Sequence, residues 1–162
     1  MLKVYLETTV PSYLAASPSR DLVTAAHQQI THDWWRKAQE RFDLCVSELV
    51  MAEIRIGDLA ARARRLQLIE GLPILKQTGD VQALVKHYDK SLGLSGKARA
   101  DIPHFAFAVS YEMDYLVTWN CSHIANGGVI RRLMKINDRL GRPTPLIVTP
   151  EEILEPSGDV EP

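Results

Sequence analysis

Five short apolar runs recur along the chain, at residues 2–6, 44–47, 73–75, 115–118 and 146–148, and each is continuous rather than alternating. A strand wetted on one face alternates apolar with polar side chains, so uninterrupted runs specify strands covered on both faces, the pattern of a parallel sheet. Between the runs the period changes. Leu22, Ala26, Ile30, Trp34 and Ala38 recur every four residues, and residues 60–69, 81–88, 105–113 and 129–140 read as further helices. Strand alternating with helix predicts an α/β layer fold.

The punctuation agrees. Gly71-Leu72-Pro73 and Gly141-Arg142-Pro143 combine a helix stop with a residue that cannot continue one. Thr149-Pro150-Glu151-Glu152 has the form of a capping box with proline at the first helical position, so a short helix is expected after the last strand. No internal repeat or dividing linker interrupts the 162 residues, a length suited to one domain, expected over residues 1–154. Residues 155–162 are expected to form an acidic, flexible tail. The last twelve residues hold five acids and no Lys or Arg, which leaves 15 acids against 19 bases in the first 150. A mildly basic body permits a nucleic-acid substrate without demanding one.

Composition removes several classes. At 46% hydrophobic and 24% charged the chain is neither disordered, collagenous nor coiled coil. Its two cysteines, Cys45 and Cys121, form no Cys-x-x-Cys, which argues against a zinc cluster or a disulfide scaffold. No run approaches the roughly 18–20 apolar residues of a membrane span, and Glu7 follows closely on the start, so a cytoplasmic location is expected.

In open parallel sheets the working crevice lies beyond the carboxyl ends of the strands. Glu7 follows the first run, Glu48 and Glu53 the second, and Asn120 the fourth, while Asp101 opens the helix leading into that fourth strand. A helix beginning at Ser47 carries Glu53 back over the strand ends; Glu48 lies about 140° away around it, so the two cannot share a target. Oxygen ligands of this kind suit Mg²⁺ or Mn²⁺, and a cation relieves the repulsion between converging carboxylates. Such an ion can polarise a phosphoryl oxygen and acidify water, the chemistry of phosphodiester hydrolysis. Each residue also has an ordinary structural role open to it: Asp101 as a helix cap, Glu53 as a solvated helix residue, Glu7 as a loop charge, Asn120 as a turn former.

Other signals fail. Gly93-Leu94-Ser95-Gly96-Lys97-Ala98 lacks both the spacing and the hydroxyl of a phosphate loop, and no Gly-x-Gly-x-x-Gly or Gly-x-Ser-x-Gly occurs. The histidines lack metal-ligand spacing, and His104 and His123 read as packed or hydrogen-bonded residues near the candidate site. Cys45 reads as a core residue and Cys121 as a loop thiol. Basic residues gather at Arg55 to Arg65, at Lys97 and Arg99, and at Arg131 to Arg142; the second group brackets Asp101, where a phosphate backbone would need positive charge.

Taken in order, Leu6-Glu7-Thr8-Thr9, Ser47-Glu48-Leu49-Val50-Met51-Ala52-Glu53, Asp101-Ile102-Pro103-His104 and Thr118-Trp119-Asn120-Cys121-Ser122-His123 resemble a PIN domain, most closely the VapC-like toxins of bacterial type II toxin–antitoxin modules. The resemblance implies a PIN-like three-layer α/β/α fold with a central parallel sheet of about four to five strands. It implies a Mg²⁺- or Mn²⁺-dependent endoribonuclease, a homodimer, held inactive by a cognate small antitoxin. Glu7 and Asp101 would bind metal, Glu53 would complete the acidic pocket, Asn120 would take the place of a fourth acid, and Thr8 and Thr118 would support the ligands or substrate. Lys97 and Arg99 are the expected phosphate contacts. Two departures follow: Glu7 stands where the family commonly has Asp, and Thr118-Trp119-Asn120-Cys121-Ser122-His123 stands where it usually has Thr-x-Asp-x-Asp-Phe, which removes both acids from that loop. The missing charge leaves an alternative, a catalytically weak or inactive PIN-like module that binds RNA or antitoxin. A small-molecule or phosphotransfer enzyme rests on fold analogy alone.

Overall fold

The computed structural model describes residues 1–154; the acidic tail expected at 155–162 lies outside the described residues. In chain order the elements are β1 (Leu2–Leu6), α1 (Thr9–Ala15), α2 (Leu22–Arg41), β2 (Phe42–Ser47), α3 (Glu48–Ile54), α4 (Leu59–Leu68), β3 (Ile74–Leu75), α5 (Gly79–Ser91), α6 (Gly96–Ala100), α7 (Ile102–Ser110), β4 (Tyr115–Val117), α8 (Gly127–Leu140), β5 (Leu146–Val148) and α9 (Pro150–Ile153).

The strands form one all-parallel sheet in the order β3-β2-β1-β4-β5. In the central strand Val4, Tyr5 and Leu6 are wholly buried, and Leu44 through Ser47 are buried in its neighbour. Continuous apolar runs thus became strands covered on both faces, as the sequence predicts. The edges are short, with Ile74 and Leu146 exposed, which limits the open backbone offered to other chains. Helices flank the sheet: α5 packs on α7 and α8, and α2 on α1 and α9. From β1 the chain builds outward through β2 and β3 and then returns to place β4 on the other side, so the switch point lies between β1 and β4.

Local chemistry sets the boundaries. Ser47 ends β2 and caps α3, its Oγ accepting from Val50 N at 3.2 Å. The box at Thr149 forms as expected, with Thr149 Oγ1 accepting from Glu152 N and Glu152 Oε1 accepting from Thr149 N. Gly141, at φ 68°, ends α8 in the left-handed region that glycine enters without steric cost. Trp34 is buried while Trp35 is only half-buried, so one ring lies on the apolar stripe.

Some boundaries differ from the sequence expectation. Helix α2 runs directly into β2 at Phe42, two residues early, and β4 ends at Val117, although Thr118 N still donates to Val148 O. Pro73 precedes β3, contributing only a carbonyl to Val46 N, since it has no N–H to donate. Two helices were not anticipated. Both α1 and α6 are a turn or two long, too short for a period to emerge, and α1 carries Pro11 within its first turn, where proline is tolerated.

Candidate functional site

The carboxyl ends of β1 and β4, with α3 and the α6–α7 junction, enclose a cleft of about 420 Å³. Glu7, Thr8, Glu53, Lys97, Asp101 and Asn120 all line it, joined by Thr9, Ser12 and His123. Residues up to 116 positions apart in the chain, Glu7 and His123, are thereby gathered at the switch point.

Glu7 is nearly fully buried. Its Oε2 accepts from Thr9 N at 2.9 Å, from Thr9 Oγ1, and from Thr118 Oγ1 at 2.8 Å. Three donors on one oxygen answer the cost of burying a carboxylate. Thr9 Oγ1 in turn accepts from Trp119 N, tying the end of β1 to the loop after β4. The indole beyond is locked in place: Trp119 Nε1 donates to Thr31 Oγ1 at 2.7 Å, and His27 stacks on its face at a centroid distance of 4.0 Å. Thr118 therefore supports Glu7 and is itself buried, whereas Thr8 lines the cleft and its Oγ1 has no hydrogen-bond partner among the described residues.

Asp101 occupies the cap position of α7 but makes no cap hydrogen bond. Its Oδ2 instead accepts from Asn120 Nδ2 at 3.0 Å and lies 3.1 Å from His123 Nδ1. The Asn120 amide is oriented without ambiguity, because its Oδ1 must accept the backbone N–H of His123 at 3.0 Å. Asn120 thus closes a turn with one end and tethers Asp101 with the other. His123, set aside on sequence as a hydrogen-bonded residue, is one, and it also lines the cleft.

Glu53 approaches from the last turn of α3. Its Oε1 lies 2.7 Å from Nε2 of His104, a fully buried residue of α7, a close ion-pair contact that is not aligned as a hydrogen bond, and neither buried atom has a hydrogen-bond partner among the described residues. His104 Nδ1 meets Tyr5 Oη at 2.7 Å, and Tyr5 Oη meets Ser47 Oγ at 2.8 Å. Burial pushes the Tyr5 phenol well above its usual range, so it remains a proton donor.

The cationic side chains diverge. Lys97 reaches the cleft, but Arg99 turns to Asp89, with Nε and Nη2 on the two carboxylate oxygens at 2.5 and 2.6 Å. That pairing holds the Asp89 carboxyl below the usual carboxylate range and does not bring Arg99 to the cleft. The thiols stay outside the chemistry: burial pushes Cys45 up to about 12, and Cys121 is exposed. Sequence reasoning missed Thr9, Tyr5 and the bridging use of His104. Only Thr9 had a local signal, a hydroxyl two residues beyond a carboxylate.

A pattern joins the three acids. Each engages one oxygen, and among the described residues Glu7 Oε1, Asp101 Oδ1 and Glu53 Oε2 have no protein partner. Oriented hard oxygen donors suit a small divalent cation. No three His, Cys, Asp or Glu side chains among the described residues gather tightly enough to hold a metal unaided. The fit is that of an ion held by one or two carboxylates and completed by water and substrate phosphate.

No protein-family model and no curated protein sequence matches the chain. Solved structures share its fold. VapBC2 from Rickettsia felis, bound to a DNA fragment from its promoter, superposes with a TM-score of 0.61 at 12% identity, over 91% of this chain and 98% of that one. VapC20 from Mycobacterium tuberculosis, a sarcin-ricin loop cleaving toxin, gives 0.58 at 14% identity, over 77% of this chain and 95% of that one. The expected PIN-like fold, a five-stranded parallel sheet flanked by helices, is the fold observed. No helix among the described residues is long and apolar enough to cross a membrane.

Proposed function

We propose that the chain is a metal-dependent endoribonuclease that hydrolyses RNA phosphodiester bonds as the toxin of a toxin–antitoxin pair. The observation that carries the reading is the cleft at the switch point, where three carboxylates, each engaged through one oxygen, keep the other without a protein partner among the described residues. The shared fold with two VapC structures supports it.

Glu7 and Asp101 would hold Mg²⁺ or Mn²⁺, which when bound supplies a polarised phosphoryl oxygen and water acidic enough to react near neutral pH. Glu53 orients the attacking water through Oε2 and takes its proton as oxygen attacks phosphorus. The bond to the leaving ribose oxygen breaks, and that oxygen takes a proton from solvent. Lys97 places positive charge beside the phosphate. Thr9 and Thr118 keep Glu7 from rotating, and Asn120 and His123 do the same for Asp101. We further propose a cognate small antitoxin and a homodimer as the physiological partners, a single domain over residues 1–154, and action in the cytoplasm.

A second reading has one observation in its favour. Asn120 supplies a neutral amide whose N–H points at Asp101, where a fourth acid would add charge for a metal. On this reading the domain binds RNA or antitoxin without cutting.

Purified protein incubated with a mixed structured RNA in Mn²⁺, in Mg²⁺ and in EDTA separates the two. Cleavage that requires metal, and that Asp101→Asn prepared identically lacks, establishes the nuclease. Absence of cleavage by folded, antitoxin-free protein moves the assignment to the binding module.

A further inference from the structure

Behind Glu53 stand buried polar residues that take no direct part in the hydrolysis. Ser47, Tyr5 and His104 are each wholly excluded from solvent and stand in series between the N-terminus of α3 and the Glu53 carboxylate in its last turn. They come from β2, β1 and α7, at sequence separations of 42 and 99 residues, so no local turn brings them together. A core position filled by leucine would avoid the cost of burying three hydrogen-bonding side chains in a row. The row ends on an acid of the cleft.

Its direction follows from donor counting. Val50 N–H donates to Ser47 Oγ, so the serine hydroxyl is free to donate to Tyr5 Oη. In that direction the Tyr5 O–H is left to donate to His104 Nδ1, 2.7 Å away. A neutral imidazole accepting at Nδ1 carries its proton on Nε2, which faces Glu53 Oε1 at 2.7 Å. The donors from Val50 N to Tyr5 Oη each meet an acceptor, the Nε2–H is left facing the carboxylate at contact distance rather than opposing it with a lone pair, and no charge need be placed on the fully buried ring. With the tautomer reversed, a bare Nε2 would oppose the carboxylate.

We propose that Ser47, Tyr5 and His104 form a one-way hydrogen-bond row that selects the Nε2–H tautomer of His104 and so holds Glu53 with Oε2 presented to the cleft. His104 and Tyr5 are thus positioning residues, acting through Glu53. The inference rests on the ribonuclease reading only for its kinetic consequence.

Two measurements test it. Two-bond ¹⁵N–¹H correlation spectra of the full chain read the His104 ring directly. The Nε2–H tautomer is expected in the wild type, with mixing or reversal in Tyr5→Phe, and a perturbed Nε2 resonance in Glu53→Gln. A doubly protonated ring, the Nδ1–H tautomer, or a ring unaffected by Tyr5→Phe overturns the proposal.

The second measurement is RNA cleavage in Mn²⁺. His104→Leu is expected to lower kcat about 10–100-fold with little change in KM, the usual cost of losing an outer-shell partner. His104→Gln, which keeps an N–H toward Glu53, is expected to recover most of it. In a Glu53→Gln background His104→Leu should cost nothing further, and an undiminished loss there overturns the positioning role. If His104→Leu fails to fold, the Tyr5→Phe and His104→Gln variants carry the same comparison. Wild-type protein that cuts no RNA would remove the ribonuclease reading, while the ring spectra would still decide the row.

Discussion

Helix α3 borders two hollows built on opposite terms. Glu53 faces the cleft of about 420 Å³, whereas Glu48, Leu49 and Ala52 face a larger groove of about 640 Å³ shared with α5 and α7. The groove is mostly apolar, lined by Val81, Val85, Pro103 and Phe107, and its acid is spent on structure, since Glu48 Oε2 accepts Gln77 N at 2.8 Å. In the smaller cleft each acid is engaged through one oxygen and, among the described residues, keeps the other available. Size therefore does not single out the candidate site; convergence of oriented polar groups at the switch point does. The same helix separates the two glutamates as its angular period requires.

The contrast can be broken most severely at Glu7. Glu7→Gln retains an oxygen for the threonine donors, so the fold should persist while cleavage falls more than roughly 100-fold, beyond the range of outer-shell losses. In the wild type, Mn²⁺ at about 100 times its dissociation constant should stabilise the chain by about 2.7 kcal/mol, and Glu7→Gln should abolish most of that gain in a thermal melt. A full Mn²⁺ shift in the variant would remove Glu7 from the ligand set.

Next comes the tether. Thr118→Val deletes a donor to a buried carboxylate and the acceptor for Asn120 N, and should cost about 2 kcal/mol in urea unfolding along with reduced cleavage. In the groove, Val85→Ala should cost about 1 kcal/mol and leave the cleavage rate unchanged. A comparable loss of cleavage would place the groove in the machinery.

The smallest effect lies farther off. Arg142, with help from Ser110, holds the Asp80 carboxyl below the usual range. A carboxyl lowered on folding stabilises above its unfolded value, near 3.9, and that stability is lost as pH falls through the folded value. The pair is partly exposed, so Arg142→Met should cost less than about 1 kcal/mol at neutral pH, with the difference fading as pH falls from about 4 through the lowered folded value in acid titrations of stability.

Much of this was legible in order along the chain. Continuous apolar runs against a four-residue period are local signals, and they located every strand, though boundaries moved where α2 entered β2 without a loop. The strand-end rule points to Glu7, Glu53 and Asn120, with Asp101 at the start of the helix leading into the fourth strand, because chain direction alone decides which end of a parallel strand carries the crevice. Helices α1 and α6 were too short to register.

The use to which each side chain is put was decided by tertiary structure. Arg99 and Lys97 lie two residues apart on a short helix, yet one pairs with Asp89 and the other reaches the cleft. Asn120 reads as a possible ligand in sequence and becomes a tether because its carbonyl is taken by His123 N. Tyr5, Ser47 and His104 look like unrelated core residues until packing sets β1, β2 and α7 within hydrogen-bond distance. Periodicity and strand direction are properties of neighbouring residues and survive in one dimension. A hydrogen bond across 99 residues depends on the register of the whole sheet and on the helix packed against it, which only the folded chain defines.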